Sequence, residues 1–181
     1  MHKTRTILLF ATLLAAVGNA YPEERIAPFI GEYRGRTISN SDTGLSERDL
    51  SVVIEARDKG GFVVEWTTIS RGSSSGRLKK SSHKVEFITT KRPNIYSSAM
   101  KTNVFGGRQA MDPLNGDPFV WARIDGQTLI LYVLVITDEG GYEIQVYDRT
   151  LIAEGMSLRF SRVRDGKVLK QINGTLERVA P

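Results

Sequence analysis

Between residues 117 and 179 the chain carries four turn signals of one kind: Asp125-Gly126, Glu139-Gly140-Gly141, Glu154-Gly155 and Asp165-Gly166. An acidic residue followed by glycine is the chemistry of a tight hairpin, because glycine takes the positive φ that primed turns require. The apolar-rich runs between these signals are too short for long helices, and their spacing is that of an up-and-down meander. In this stretch Phe119, Trp121 and Arg123 alternate with Val120, Ala122 and Ile124. Residues 128–136 are apolar on both faces, as expected of a strand covered on both sides. Ile144, Val146 and Asp148 oppose Gln145, Tyr147 and Arg149, and Met156, Leu158 and Phe160 oppose Ser157, Arg159 and Ser161. The last run, 167–179, is interrupted at Asn173-Gly174, which predicts a bulge or a turn between two short strands.

The N-terminal half repeats the pattern. Residues 29–38 read as a first strand with an aromatic and small face of Phe29, Gly31, Tyr33 and Gly35. Leu50, Val52, Ile54 and Ala56 form one face of the next strand. Asp58-Lys59-Gly60-Gly61 turns the chain, and Phe62, Val64, Trp66 and Thr68 return. Period-two alternation of this kind marks a half-buried strand. A further strand is expected over 77–90, with Val85 and Phe87 inward. The fold class is therefore all-β: an antiparallel meander closing into a barrel of roughly eight to ten strands, a size that either fills with side chains or holds one ligand.

Residues 91–118 interrupt the alternation with Pro93, Gly106-Gly107, Asp112-Pro113 and Asp117-Pro118. Ile95, Tyr96, Met100, Val104, Phe105, Met111 and Leu114 make the segment too apolar for a solvated linker. A long apolar connection in a compact domain serves function or is ordered by packing. It reads as a lid or portal over one barrel end, with a short strand near 100–105, or as the surface through which a protein partner is met.

Residues 1–20 have the build of a cleaved export signal: a basic head of His2, Lys3 and Arg5, an apolar middle from Ile7 to Val17, and Gly18-Asn19-Ala20 as a small-x-small cleavage site. Cleavage after Ala20 leaves residues 21–181 as a single domain in the periplasm or the medium. The apolar middle is shorter than the roughly 20 residues that span a bilayer, so no stable membrane insertion is expected. The sequence has no cysteine, which removes thiol nucleophiles, cysteine zinc sites and a disulfide scaffold. Loss of Lys3 and Arg5 takes the formal charge from +5 to +3. This scattered excess does not imply a nucleic-acid partner.

Catalytic chemistry is poorly represented. His83 is the sole histidine after the leader and sits between Ser82 and Lys84 in a polar run. Ser73, His83 and an aspartate make a triad only on paper, with no Gly-x-Ser-x-Gly elbow to support one. Asp112, Asp117, Asp138 and Glu139 precede or adjoin turn residues and fit no ordered Ca²⁺ loop. Glu55, Glu65 and Glu143 fall on polar strand faces read as external. No catalytic residue, metal or cofactor is assigned. The aromatics expected inside are Tyr33, Trp66, Trp121, Tyr132 and Phe160, with Arg123 on the Trp121 face and Arg162 on the Phe160 face. An arginine buried in a barrel needs a carboxylate or an anionic ligand. Asp148, on the Ile144–Val146 side, is the carboxylate expected to supply an internal partner.

The first strand, Gly31-Glu32-Tyr33, followed by a meander, resembles the calycin superfamily of lipocalins and their relatives, with Tyr33 where the lipocalin motif has tryptophan. Gly31-x-Tyr33-x-Gly35 also resembles the start of nitrobindin-like haem barrels. That resemblance would bring a histidine ligand near the C-terminus. No histidine follows His83, so haem is not carried over. Lipocalins pack a late basic residue on the first-strand aromatic; Arg159, Arg162 and Arg178 are the alternatives here. The resemblance implies a carrier of a small hydrophobic or amphipathic molecule, lined by Tyr33, Trp66, Trp121, Arg123, Tyr132, Phe160 and Arg162. An envelope interaction module with a side-chain-filled barrel is the alternative, and a calycin-type enzyme the third.

Overall fold

The computed structural model describes residues 22–41, 44–71, 78–98, 101–102, 108–109 and 111–181. Residues 1–20, expected from the sequence to be an export leader, and parts of segment 91–118 lie outside the described residues. A short helix α1 (Pro22–Ile26) runs into a 3₁₀ turn (Ala27–Phe29) and then into the strands. These are β1 (Gly31–Ser41), β2 (Gly44–Ala56), β3 (Phe62–Arg71), β4 (Leu78–Thr89), β5 (Ile95–Ser98), β6 (Lys101–Thr102), β7 (Arg108–Gln109), β8 (Phe119–Asp125), β9 (Thr128–Ile136), β10 (Tyr142–Ile152), β11 (Gly155–Arg164) and β12 (Lys167–Ala180).

Ten of them close into an antiparallel barrel in the order β1-β12-β11-β10-β9-β8-β5-β4-β3-β2, while β6 and β7 pair with each other. This is a lipocalin-like meander in which each strand neighbours the next, and β1 meets β12 to remove the free edges. The turns follow the sequence signals. Gly126-Gln127 joins β8 to β9, and Asp165-Gly166, both at positive φ, joins β11 to β12. The β1–β12 seam is tight. A Cβ at Gly35 would collide with the Thr175 carbonyl, and one at Gly174 would stand 2.5 Å from Thr37 Cγ2.

That close approach explains why β12 runs unbroken through Asn173-Gly174, against the expected bulge or turn: the glycine leaves room for Thr37. The register irregularities of β12 lie instead at Leu169, opposite Arg162 and Val163 of β11, and at Val179, opposite Glu32 and Tyr33 of β1. Segment 91–118 is not one loop, because β5 joins the barrel between β4 and β8.

One end of the barrel is packed solid. Ile26 and Phe29 reach in from the N-terminal turn to join Tyr33, Ile54, Phe62, Phe87, Tyr96 and Leu176, all essentially inaccessible. Phe62 stacks on Phe87 and meets Tyr96 edge-on, each at 4.9 Å. The Tyr33 hydroxyl donates to the Phe29 carbonyl at 2.9 Å and accepts from Arg178 Nη2 at 2.6 Å. Arg178 also lies over the Tyr33 ring at 5.0 Å and donates to the Pro28 carbonyl. Of the three arginines left open by the sequence, Arg178 is the one on the first-strand aromatic.

β4 pairs with β3 from Leu78 to Phe87, and with β5 only at Phe87, Ile88 and Thr89. From Leu78 to Glu86 it has a ladder on one side alone among the described residues. Lys79, Lys80 and Lys84 dot this stretch, a charge pattern that discourages edge-to-edge association.

Candidate functional site

Away from the packed end the side chains stop filling the barrel. A cavity of about 360 Å³ remains, toward the lower end of the size range of small-molecule sites. β10 and β11 supply its most consequential residues. The alternation of β10 puts Gln145, Tyr147 and Arg149 inside, opposite Arg162, Phe160 and Leu158 of β11. Across the barrel, Leu50 of β2 and Trp66 of β3 complete an apolar wall. The cavity opens beside the one-sided stretch of β4, whose Lys79, Ser81 and His83 line it and are exposed.

Arg149 dominates the electrostatics. Its side chain is 1% exposed, yet no carboxylate pairs with it among the described residues. Its guanidinium carbon lies 5.5 Å from the Trp66 ring and 5.4 Å from the Tyr147 ring. Two π faces offset part of the lost hydration of a cation. They accept no directed hydrogen bonds, and Arg149 Nε and Nη1 have no acceptor. Burial pulls the guanidinium down to about 10, so it remains charged at neutral pH.

Four further cations line the cavity: Arg48, Lys79, Arg162 and Lys170. No carboxylate does among the described residues. Arg162 is neutralised from just beyond the lining, where Glu143 accepts from Arg162 Nη2 at 2.7 Å, Arg164 Nη2 at 3.0 Å and Gln145 Nε2 at 3.0 Å. Gln145 in turn accepts from the Tyr147 hydroxyl at 2.9 Å. The Arg162 hydrogen bond, working against burial and aided by Gln145 and Arg164, holds the Glu143 carboxyl at about 2. Burial pushes the Tyr147 phenol up, with Arg149 and Arg162 opposing.

The residues expected inside divide into three groups. Trp66, Phe160 and Arg162 line the cavity. Tyr33 points inward but belongs to the packed end. Trp121, Arg123 and Tyr132 lie on the outer face, correcting the inward expectation. Trp121 stacks on Tyr132 at 4.8 Å, and Arg123 bonds Asp125 at 2.6 Å. Their neighbours Val120, Ala122, Ile124, Leu129 and Leu131 take the core positions. Ala122 faces in because Tyr96, its direct partner on β5, fills the space beside it.

The same inversion affects β10. Asp148 is outside, bound to Arg159 at 2.6 Å, and so cannot pair with an internal arginine. Glu143, read as external, is 4% exposed. Arg48, Arg149 and Lys170 were not singled out by sequence. The usable signal was Tyr147 and Arg149 alternating with Ile144 and Val146, two faces of which only one could enter the barrel. His83 is exposed, stacks on Trp66 at 5.1 Å and shares a 3.1 Å hydrogen bond with Ser81. Asp112 caps a 3₁₀ turn by accepting from the Leu114 amide, and the described residues contain no metal-binding group of acidic residues or histidines.

No family model matches the sequence, and no curated protein does. Among solved structures the chain is similar to the S-type phycobiliprotein lyase CPES from Guillardia theta, at 11% identity and a TM-score of 0.38, covering 88% of this chain and 93% of that one.

Proposed function

We propose that this is an exported binding protein that carries a small amphipathic molecule inside the barrel, with an acidic head on Arg149 and an apolar body against Trp66, Leu158 and Phe160. The observation that carries the reading is Arg149, a buried cation facing an unfilled cavity with no counter-ion among the described residues. An isolated buried charge costs several kcal/mol unless something pairs with it, and the cavity is where a partner has room. An interaction module with a side-chain-filled barrel accounts for the packed end only. A calycin-type enzyme needs a positioned acid–base pair, and His83 is exposed with Ser81 as its hydrogen-bond partner. Export is supported by the basic head, apolar run and small-x-small site of residues 1–20.

The test is native mass spectrometry of protein expressed with its leader and recovered from a bacterial periplasm. The expected species begins at Tyr21 and carries an added mass that leaves on denaturation. The Arg149→Gln variant should be recovered without that mass. A bare polypeptide, unchanged after incubation with a lipid extract, overturns the carrier reading, and retention of residues 1–20 in the cytoplasm overturns export.

A further inference from the structure

We propose that the cavity takes a molecule with two acid groups on an apolar spacer, one group on Arg149 in its depth and the other on Arg48 and Lys170 nearer its mouth. The inference rests on the carrier reading and narrows it. Its starting point is the arrangement of cations at two depths. Arg149 is fully buried, whereas Arg48 and Lys170 are half-buried. Arg162 and Lys170 are direct cross-strand partners on β11 and β12. Burial lowers the Lys170 ammonium, and the Arg48 and Arg162 charges push it further in the same direction. Lys170 therefore stands within repulsion of both Arg48 and Arg162.

Only one of the three is answered. Glu143 engages Arg162, while Arg48 and Lys170 have no carboxylate partner among the described residues. Arg48 Nε is buried without an acceptor as well. A single acid on Arg149 would leave this second group as uncompensated as before. A second acid at the mouth removes the repulsion and supplies the missing acceptor, an interaction worth more than a neutral hydrogen bond because both partners are charged. The wall that both groups share, Leu50, Leu158, Phe160 and Ile172, is apolar and suits a hydrocarbon or conjugated spacer. The exposed Lys79 at the opening adds a positive potential that favours anions on entry.

Calorimetric titration of the purified protein with linear dicarboxylates, octanedioate to hexadecanedioate, tests this against monoacids and alcohols of the same lengths. At one length the diacid should bind roughly tenfold or more tighter than its monoacid, as one charge-assisted contact allows. The double variant Arg48→Gln, Lys170→Gln should lose that margin, so that diacid and monoacid of that length bind it within about twofold of each other. Should the double variant lose monoacid binding as well, the comparison of diacid with monoacid on the unaltered protein decides alone. A diacid no tighter than its monoacid at every length overturns the two-acid assignment and leaves the carrier reading standing. Failure of alcohols, monoacids and diacids alike overturns both.

Discussion

On the carrier reading, Arg149 sets folding against binding, a conflict that a single substitution resolves. Methionine fills much the same volume without a charge, so Arg149→Met should raise stability by about 1–3 kcal/mol in urea unfolding while abolishing uptake of acidic ligands. A loss of stability would mean that the two π contacts outweigh the burial of the charge. Glu143 works the other way. Its folded value of about 2 lies below the ordinary carboxylate value near 4.3 of an unfolded chain, so its contribution is complete above about pH 4.5 and disappears as pH falls toward 2. Arg162 and Arg164 are half exposed and partly screened, which puts the loss at roughly 2 kcal/mol. Unfolding free energy measured across that window should decline in the native protein, and Glu143→Gln should remove this component of the decline.

At the level of the strand, closure depends on how near β1 lies to β12. Gly35→Ala sets a methyl group against the Thr175 carbonyl, which is backbone and cannot rotate aside. The expected cost is roughly 1–3 kcal/mol, read as a lower urea midpoint at unchanged slope. Strands and turns were legible because Asp125-Gly126 and Asp165-Gly166 declare the hairpins locally. Strand phase was not. β8 and β10 have apolar residues on both faces, and bulk alone points Trp121 and Ile144 inward. The barrel instead admits Ala122 beside Tyr96, and Tyr147 beside Phe160. Which face of such a strand enters is decided by the partner across the ladder, and no window of one strand contains that partner. The site follows from the same choice: Tyr147 carries Arg149 into the barrel, and Asp148 on the opposite face is left to bind Arg159.

Taken whole, the molecule divides its interior between two tasks. The end sealed by Ile26 and Phe29 supplies the core, with aromatic pairs and the Tyr33–Arg178 contact joining the first strand to the last. The other end keeps its space, and its ionic groups are arranged around that space. β4 borders the open end, and its stretch from Leu78 to Glu86 is held by the β3 ladder alone among the described residues, while β10 and β11 are held by ladders on both sides. A strand bonded on one side separates at lower free energy than its neighbours, so that stretch can move without disturbing the packed aromatics. In a carrier of the kind proposed, residence time and affinity would answer to different parts of the chain: the guanidinium between Trp66 and Tyr147 to how tightly a guest is held, and the one-ladder stretch of β4 to how soon it leaves.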